Sequence, residues 1–159
     1  MEKKIIYLDN NATTKPYPEV LTNYVDISTK GYYNINTNSK ISLLLRKSIS
    51  KMSETILKYA KLNPTEYDVL YTSGSSEINQ GIINYYKKTK STIITTKYEH
   101  NSIINNLPKD NYHFVKLDRD NGVVDLKKFK IFLTKLKYEL GESLGTVLIS
   151  IMSANNEFP

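Results

Sequence analysis

Apolar and polar positions along the chain keep two rhythms, one helical and one strand-like, and the rhythms take turns. The run "KIIYL" (Lys4 to Leu8) reads as a short strand, and the loop "DNNATTKPYP" behind it supplies asparagine, threonine and proline turn chemistry. From Pro18, the residues Val20, Leu21, Tyr24 and Val25 recur at helical spacing. A polar loop, "KGYYNINTNS", precedes a longer helix whose Leu45, Ile49, Met52, Ile56 and Ala60 share a face, and Asn63-Pro64 ends it.

Beyond that point strands and helices alternate. "DVLYT" predicts a strand, "SGSS" a turn, and Ile78, Ile82 and Tyr85 a helix. "TIITT" predicts a second strand, with a short helix over Asn101 to Asn106. "HFVKL" predicts a third, closed by the turn "DRDNG". Asp125 is placed to cap a helix carrying Leu126, Phe129, Leu133 and Leu136. "TVLISIM" is apolar along most of its length, as a strand covered on both faces would be. Strand, helix, strand, helix argues for an α/β layered domain with a mainly parallel sheet. Two parts are expected, an N-terminal segment with the long helix over 1–62 and the first part of a larger layered domain over 63–159.

Composition narrows the class. With 40% hydrophobic and 24% charged residues the chain reads as globular, and no apolar run is long enough to span a bilayer. The apolar run after "MEKK" is too short for a secretory signal core, so a cytoplasmic location is expected. The absence of cysteine excludes a disulfide framework, a thiol nucleophile and a thiolate metal site within this sequence. The net charge of +6 favours anionic partners, but the lysines are scattered, which argues against a nucleic-acid surface.

Four polar clusters follow strand candidates: "DNNATT", "TSGSSE", "YEHNS" and "SANNE". In parallel α/β sheets ligands sit outside the carboxyl ends of the strands, so the clusters suggest one site built from several loops. "TSGSSE" before a helix offers hydroxyls, amides and the positive end of a dipole to a phosphate. Ser75 or Ser76 could equally serve as an ordinary helix cap, with Glu77 favourable in the first turn. His100, one of two histidines, reads on residue type alone more readily as a half-buried polar residue or loop donor than as a catalytic group.

Taken together, "YLDNNATT", "TSGSSEINQ", "YEHNSI", "DNGVVDL" and "VLISIMSANNE" resemble, in order and spacing, the NifS-like cysteine desulfurases, class V aminotransferases of the fold-type-I pyridoxal phosphate enzymes. The resemblance implies an incomplete three-layer sandwich of that family's large domain, with pyridoxal 5'-phosphate as cofactor. It implies that His100 stacks on the cofactor ring and takes part in proton transfer. Ser75 and Ser76 would bind the phosphate, and Asn156 would hydrogen-bond the ring oxygen. Asn11, Ala12 and Thr13 would lie at the substrate mouth, although a simple turn explains them equally well. His113 matches no family site and is expected to be an ordinary strand residue.

The departures are as informative. Ser76 stands where the family usually has threonine, Ile78 where it has serine, Ser39 and Ser42 where histidine and glycine are expected, and Pro159 where glycine is expected. The family's cofactor-binding aspartate and lysine and its sulfur-accepting cysteine fall beyond "ANNE", and no lysine here, Lys97 included, aligns with the covalent anchor. The expectation is therefore an inactive or split family member. Cysteine would be the family substrate, and a homodimer mate or a complementary half the partner. "DVLYT" would pair with strands that another part of the protein supplies.

Overall fold

A computed structural model describes residues 5–118 and 120–156, and the chain divides into two compact units, one up to Tyr71 and one from Thr72 on. In the first unit, α1 spans Pro18–Lys30 and α2 spans Lys40–Tyr59. Proline at the first position of α1 needs no amide partner, Glu19 lies in its first turn and Lys30 in its last, as the helix dipole favours. Gly31 closes the helix, its N–H bonded to the Ile27 carbonyl. A Cβ on Gly31 would come within 2.9 Å of that oxygen, so only glycine fits without a shift.

Ser39 caps α2 by accepting the Ser42 N–H. The Ser42 hydroxyl is buried and donates to the Asn34 carbonyl at 2.7 Å, while the Arg46 guanidinium donates to the carbonyls of Ile35 and Thr37. Thus the two serines that depart from the family pattern have a local task, tying the 34–39 loop onto the start of α2. Little else in the unit is covered. No residue of α1 is buried, and in α2 only Ser42 and Leu57 are. The expected strand at Lys4 to Leu8 is not found over its described part, and Ile5 and Leu8 are 88% and 89% exposed.

The second unit is the layered one. Helix α3 (Ser75–Lys88) leads to β1 (Thr92–Thr96), the short α4 (Asn101–Ile104), β2 (Tyr112–Val115), α5 (Leu126–Leu140) and, after one turn of 3-10 helix, β3 (Val147–Ile149). Among the described residues the strands form a parallel sheet in the order β2-β1-β3, with Ile93 opposite both Tyr112 and Leu148. Side chains alternate across β1. Ile93 packs with Ile83 of α3 and Ile103 of α4, and Ile94 packs with Val115 and Leu136 of α5. Helices therefore cover both faces, which is the layered α/β arrangement expected from the alternation.

Three details differ from the sequence reading. "DVLYT" forms no strand, because a ladder needs a neighbour and none of the three strands pairs with it. The strand covered on all sides is the threonine-rich β1, every residue of which is buried, whereas β3 lies at an edge with Ile149 exposed. Its threonines tolerate burial because Thr92 donates to the Leu144 carbonyl and Thr96 to Glu99; the Thr95 hydroxyl alone lacks a partner among the described residues. Finally, the buried stripe of α3 runs through Ile83, with Tyr86 against the same cluster, rather than through Ile82 and Tyr85, which are exposed. The Asp125 cap is as expected, accepting the N–H groups of Lys127 and Lys128.

Candidate functional site

The carboxyl end of β1 runs into the loop that carries His100, and the start of α3 lies beside it. Together they line an open cleft of about 580 Å³ to which Ser76, Glu77, His100, Ser102 and Asn105 contribute. A depression of about 610 Å³ at the end of α2 gathers Glu54, Lys58 and Lys61, surface charges without convergent hydrogen-bonding groups, and the chemistry is better placed in the former.

At the start of α3 the cap position belongs to Gly74, which makes no side-chain bond, so Ser75 and Ser76 open the helix proper and do not cap it. Both are exposed. Gly74 is extended (φ 163°), a conformation open to any residue, and a Cβ there would meet no atom within 4 Å. A strained turn is therefore not its reason, and the room above the helix start remains. Glu77 reaches back to accept the N–H and hydroxyl of Ser73, both at 2.7 Å. Those bonds, the Ser73 N–H first, hold the Glu77 carboxyl below the ordinary value. Glu77 thus ties Ser73 back onto the first turn of α3, while the Ser75 and Ser76 hydroxyls take no part in capping.

His100 is the cap of α4. Its Nδ1 accepts the Ser102 N–H at 3.1 Å and lies 2.8 Å from the Ser102 hydroxyl, which also accepts from Asn79 Nδ2 of α3 at 2.9 Å. A backbone N–H can only donate, so Nδ1 is unprotonated in this geometry and the neutral ring carries its proton on Nε2. Asn79 and Ser102 escaped the sequence reading, since a polar side chain on the inward stripe of α3 breaks the apolar period. The signal was a serine two residues beyond a histidine at a helix start.

Asn156 follows β3 on a loop joined to that of His100. Glu99 accepts the Met152 N–H at 2.7 Å, and Asn155 Nδ2 donates to the Tyr98 carbonyl at 2.7 Å. Asn11, Ala12 and Thr13 belong to the first unit, in a turn where the N–H groups of Ala12 and Thr13 both reach the Asp9 carbonyl. Lys97 Nζ stands 5.6 Å from the centroid of the Phe114 ring, a cation-π contact. His113 is half-buried in β2, its ring 6.1 Å from that of Phe132 and steeply inclined to it. No group of metal-ligating side chains is found among the described residues, and no helix among them is long and apolar enough to cross a membrane. Pro159 lies outside the described residues.

A layered parallel sheet with polar loops at its carboxyl ends now has counterparts to be set beside it. The profile of the family Aminotransferase class-V matches residues 6–157, and the chain belongs to that family. Within it the relatives are cysteine desulfurases of the NifS-like kind. "Cysteine desulfurase IscS" of Clostridium botulinum is 32% identical over 97% of this chain and 38% of its own length. "Cysteine desulfurase, mitochondrial" of Saccharomyces cerevisiae is 30% identical over 96% of this chain and 30% of its own length. Among solved structures a "NifS-like protein" superposes with a TM-score of 0.77 at 28% identity, over 96% of this chain and 41% of that one. The chain therefore spans well under half the length of the relatives it matches.

Proposed function

We propose that the unit from Thr72 on forms the phosphate- and ring-facing part of a pyridoxal phosphate site of the cysteine desulfurase type, and that this chain by itself does not desulfurate cysteine. The observation that carries the reading is the sharing of one cleft by the first turn of α3 and His100. Two serine hydroxyls released from capping, at the positive end of a 14-residue helix, suit a phosphate dianion. His100, fixed through Nδ1, offers a flat face to a pyridine ring and a donor at Nε2. Asn156 would supply a side-chain amide to the ring oxygen.

When bound, pyridoxal phosphate supplies the electron sink that labilises bonds at an amino acid's α-carbon. The residues of this chain would bind it, orient its ring and hold a proton at His100. Lys97, held over Phe114, is not proposed as a covalent anchor, and with no cysteine in the sequence no thiol of this chain is there to accept sulfur. Asn11, Ala12 and Thr13 are proposed for the substrate side, with cysteine as the substrate of the assembled site.

A partner belongs to the same reading. The apolar face of α1 is uncovered, with Val20, Leu21, Tyr24 and Val25 all exposed, which favours association with a complementary half, a full-length relative or a second copy. Titration of the chain with pyridoxal phosphate, read by absorbance, is expected to show weak, reversible binding. Ser76→Ala combined with His100→Ala should abolish it, borohydride should leave no adduct, and cysteine should yield no sulfide above free cofactor. A reduced adduct on one lysine, or sulfide release lost in His100→Ala, would contradict the proposal.

A further inference from the structure

The main-chain ladder between β1 and β3 runs out at Ser150, whose N–H bonds the Ile94 carbonyl at 2.9 Å. Beyond it the two segments separate into the loops bearing His100 and Asn156, yet the pairing continues through side chains. Glu99 Oε1 accepts the Met152 N–H at 2.7 Å and the Thr96 hydroxyl at 3.3 Å. Asn155 Nδ2 returns a bond to the Tyr98 carbonyl at 2.7 Å. Thr96 Oγ1 in turn accepts the Tyr98 N–H at 3.2 Å, so the loop around Glu99 is folded onto the strand end before it reaches across.

A carboxylate accepting a backbone N–H makes a charge-assisted bond, stronger than the amide pairs it succeeds. We propose that Glu99 is a positioning residue whose carboxylate, seconded by Asn155, staples the loop over 150–156 to the loop over 97–100 and so fixes Asn156 relative to His100. The inference rests on the cofactor reading for its purpose. Without the staple the sheet ladder still ends at Ser150, and the two loops lose the Glu99–Met152 and Asn155–Tyr98 bonds.

The test uses the whole chain and two kinds of readout. Glu99→Gln keeps an oxygen that can accept the Met152 N–H, whereas Glu99→Ala removes it. Hydrogen exchange at the Met152 amide is expected to speed up about tenfold in Glu99→Ala and to stay near the parent rate in Glu99→Gln. Nuclear magnetic resonance of the His100 ring and the Asn156 side-chain amide should report the same order, with shifts moved in Glu99→Ala and in Asn155→Ala and restored in Glu99→Gln. In the titration with pyridoxal phosphate, affinity should fall in the alanine variants while the thermal midpoint stays within a few degrees of the parent. If Met152 exchanges alike in all variants, or the His100 and Asn156 resonances are unmoved in Glu99→Ala, the staple is refuted. If the parent binds no cofactor while the exchange and resonance pattern holds, the cofactor reading fails and the staple stands.

Discussion

The two units have similar apolar content and use it differently. From Thr72 on, apolar side chains meet across a sheet: Ile83, Ile93 and Ile103 on one face, Ile94, Val115 and Leu136 on the other. Up to Tyr71 the helices are just as well formed, yet α1 buries none of its residues and α2 only Ser42 and Leu57. Helix formation is local, while burial needs a second surface that the sequence nearby does not always supply. The residues proposed to hold a cofactor sit in the unit that has its own core. Those proposed for the substrate side sit in the unit that has little.

The largest effect that could break this contrast is a truncation in each unit, one in the core and one on exposed α1. Ile93→Ala, at a site fully buried in β1, should cost about 2–5 kcal/mol in chemical unfolding. Val25→Ser on exposed α1 should change stability by less than about 0.5 kcal/mol. Equal effects would mean that the α1 face is buried in solution, which light scattering would then trace to association.

A smaller effect sharpens the contrast within the second unit. Asp125 caps α5, and its carboxyl is held below the ordinary value, chiefly by the Lys128 N–H, with the Lys127 N–H and the Lys128 ammonium assisting. A carboxylate whose folded value is lowered contributes stability that is full above the unfolded value, about pH 4, and is lost as pH falls through the folded one. Asp125→Ala should therefore lower the melting midpoint at neutral pH by less than Ile93→Ala does. The gap to the parent should narrow as the pH is taken below about 4. A gap that widened on acidification would contradict the cap.

These contrasts also show what could be read from the sequence. The alternation of rhythms, the Asp125 cap and the loops after β1 and β3 were legible, because each depends on residues close in the chain. The strands expected at Lys4 to Leu8 and at "DVLYT" were not, since a pattern signals extended backbone but cannot name its partner. The stripe of α3 was misphased for a similar reason. Asn79 faces inward because Ser102, 23 residues away, accepts its amide, and no local period reports that bond. The central position of "TIITT" was hidden by its threonines, whose hydroxyls find Leu144 and Glu99 only once the fold is assembled. In the candidate site, residue types at Ser75, Ser76 and His100 could be read directly. The links through Glu77, Asn79, Glu99 and Ser102 needed the structure.

Native-state hydrogen exchange tests the difference between the units most directly. The amides of Thr92 and Ile93, fully buried at the start of the central strand, bond to the carbonyls of Thr146 and Asn111, and they should exchange only through global opening of the second unit. The amides of Tyr24 and Val25, within α1 and on exposed residues, should exchange at least about a thousandfold faster in the monomeric chain. Protection of Tyr24 and Val25 equal to that of Ile93, in a chain shown to be monomeric, would contradict the account.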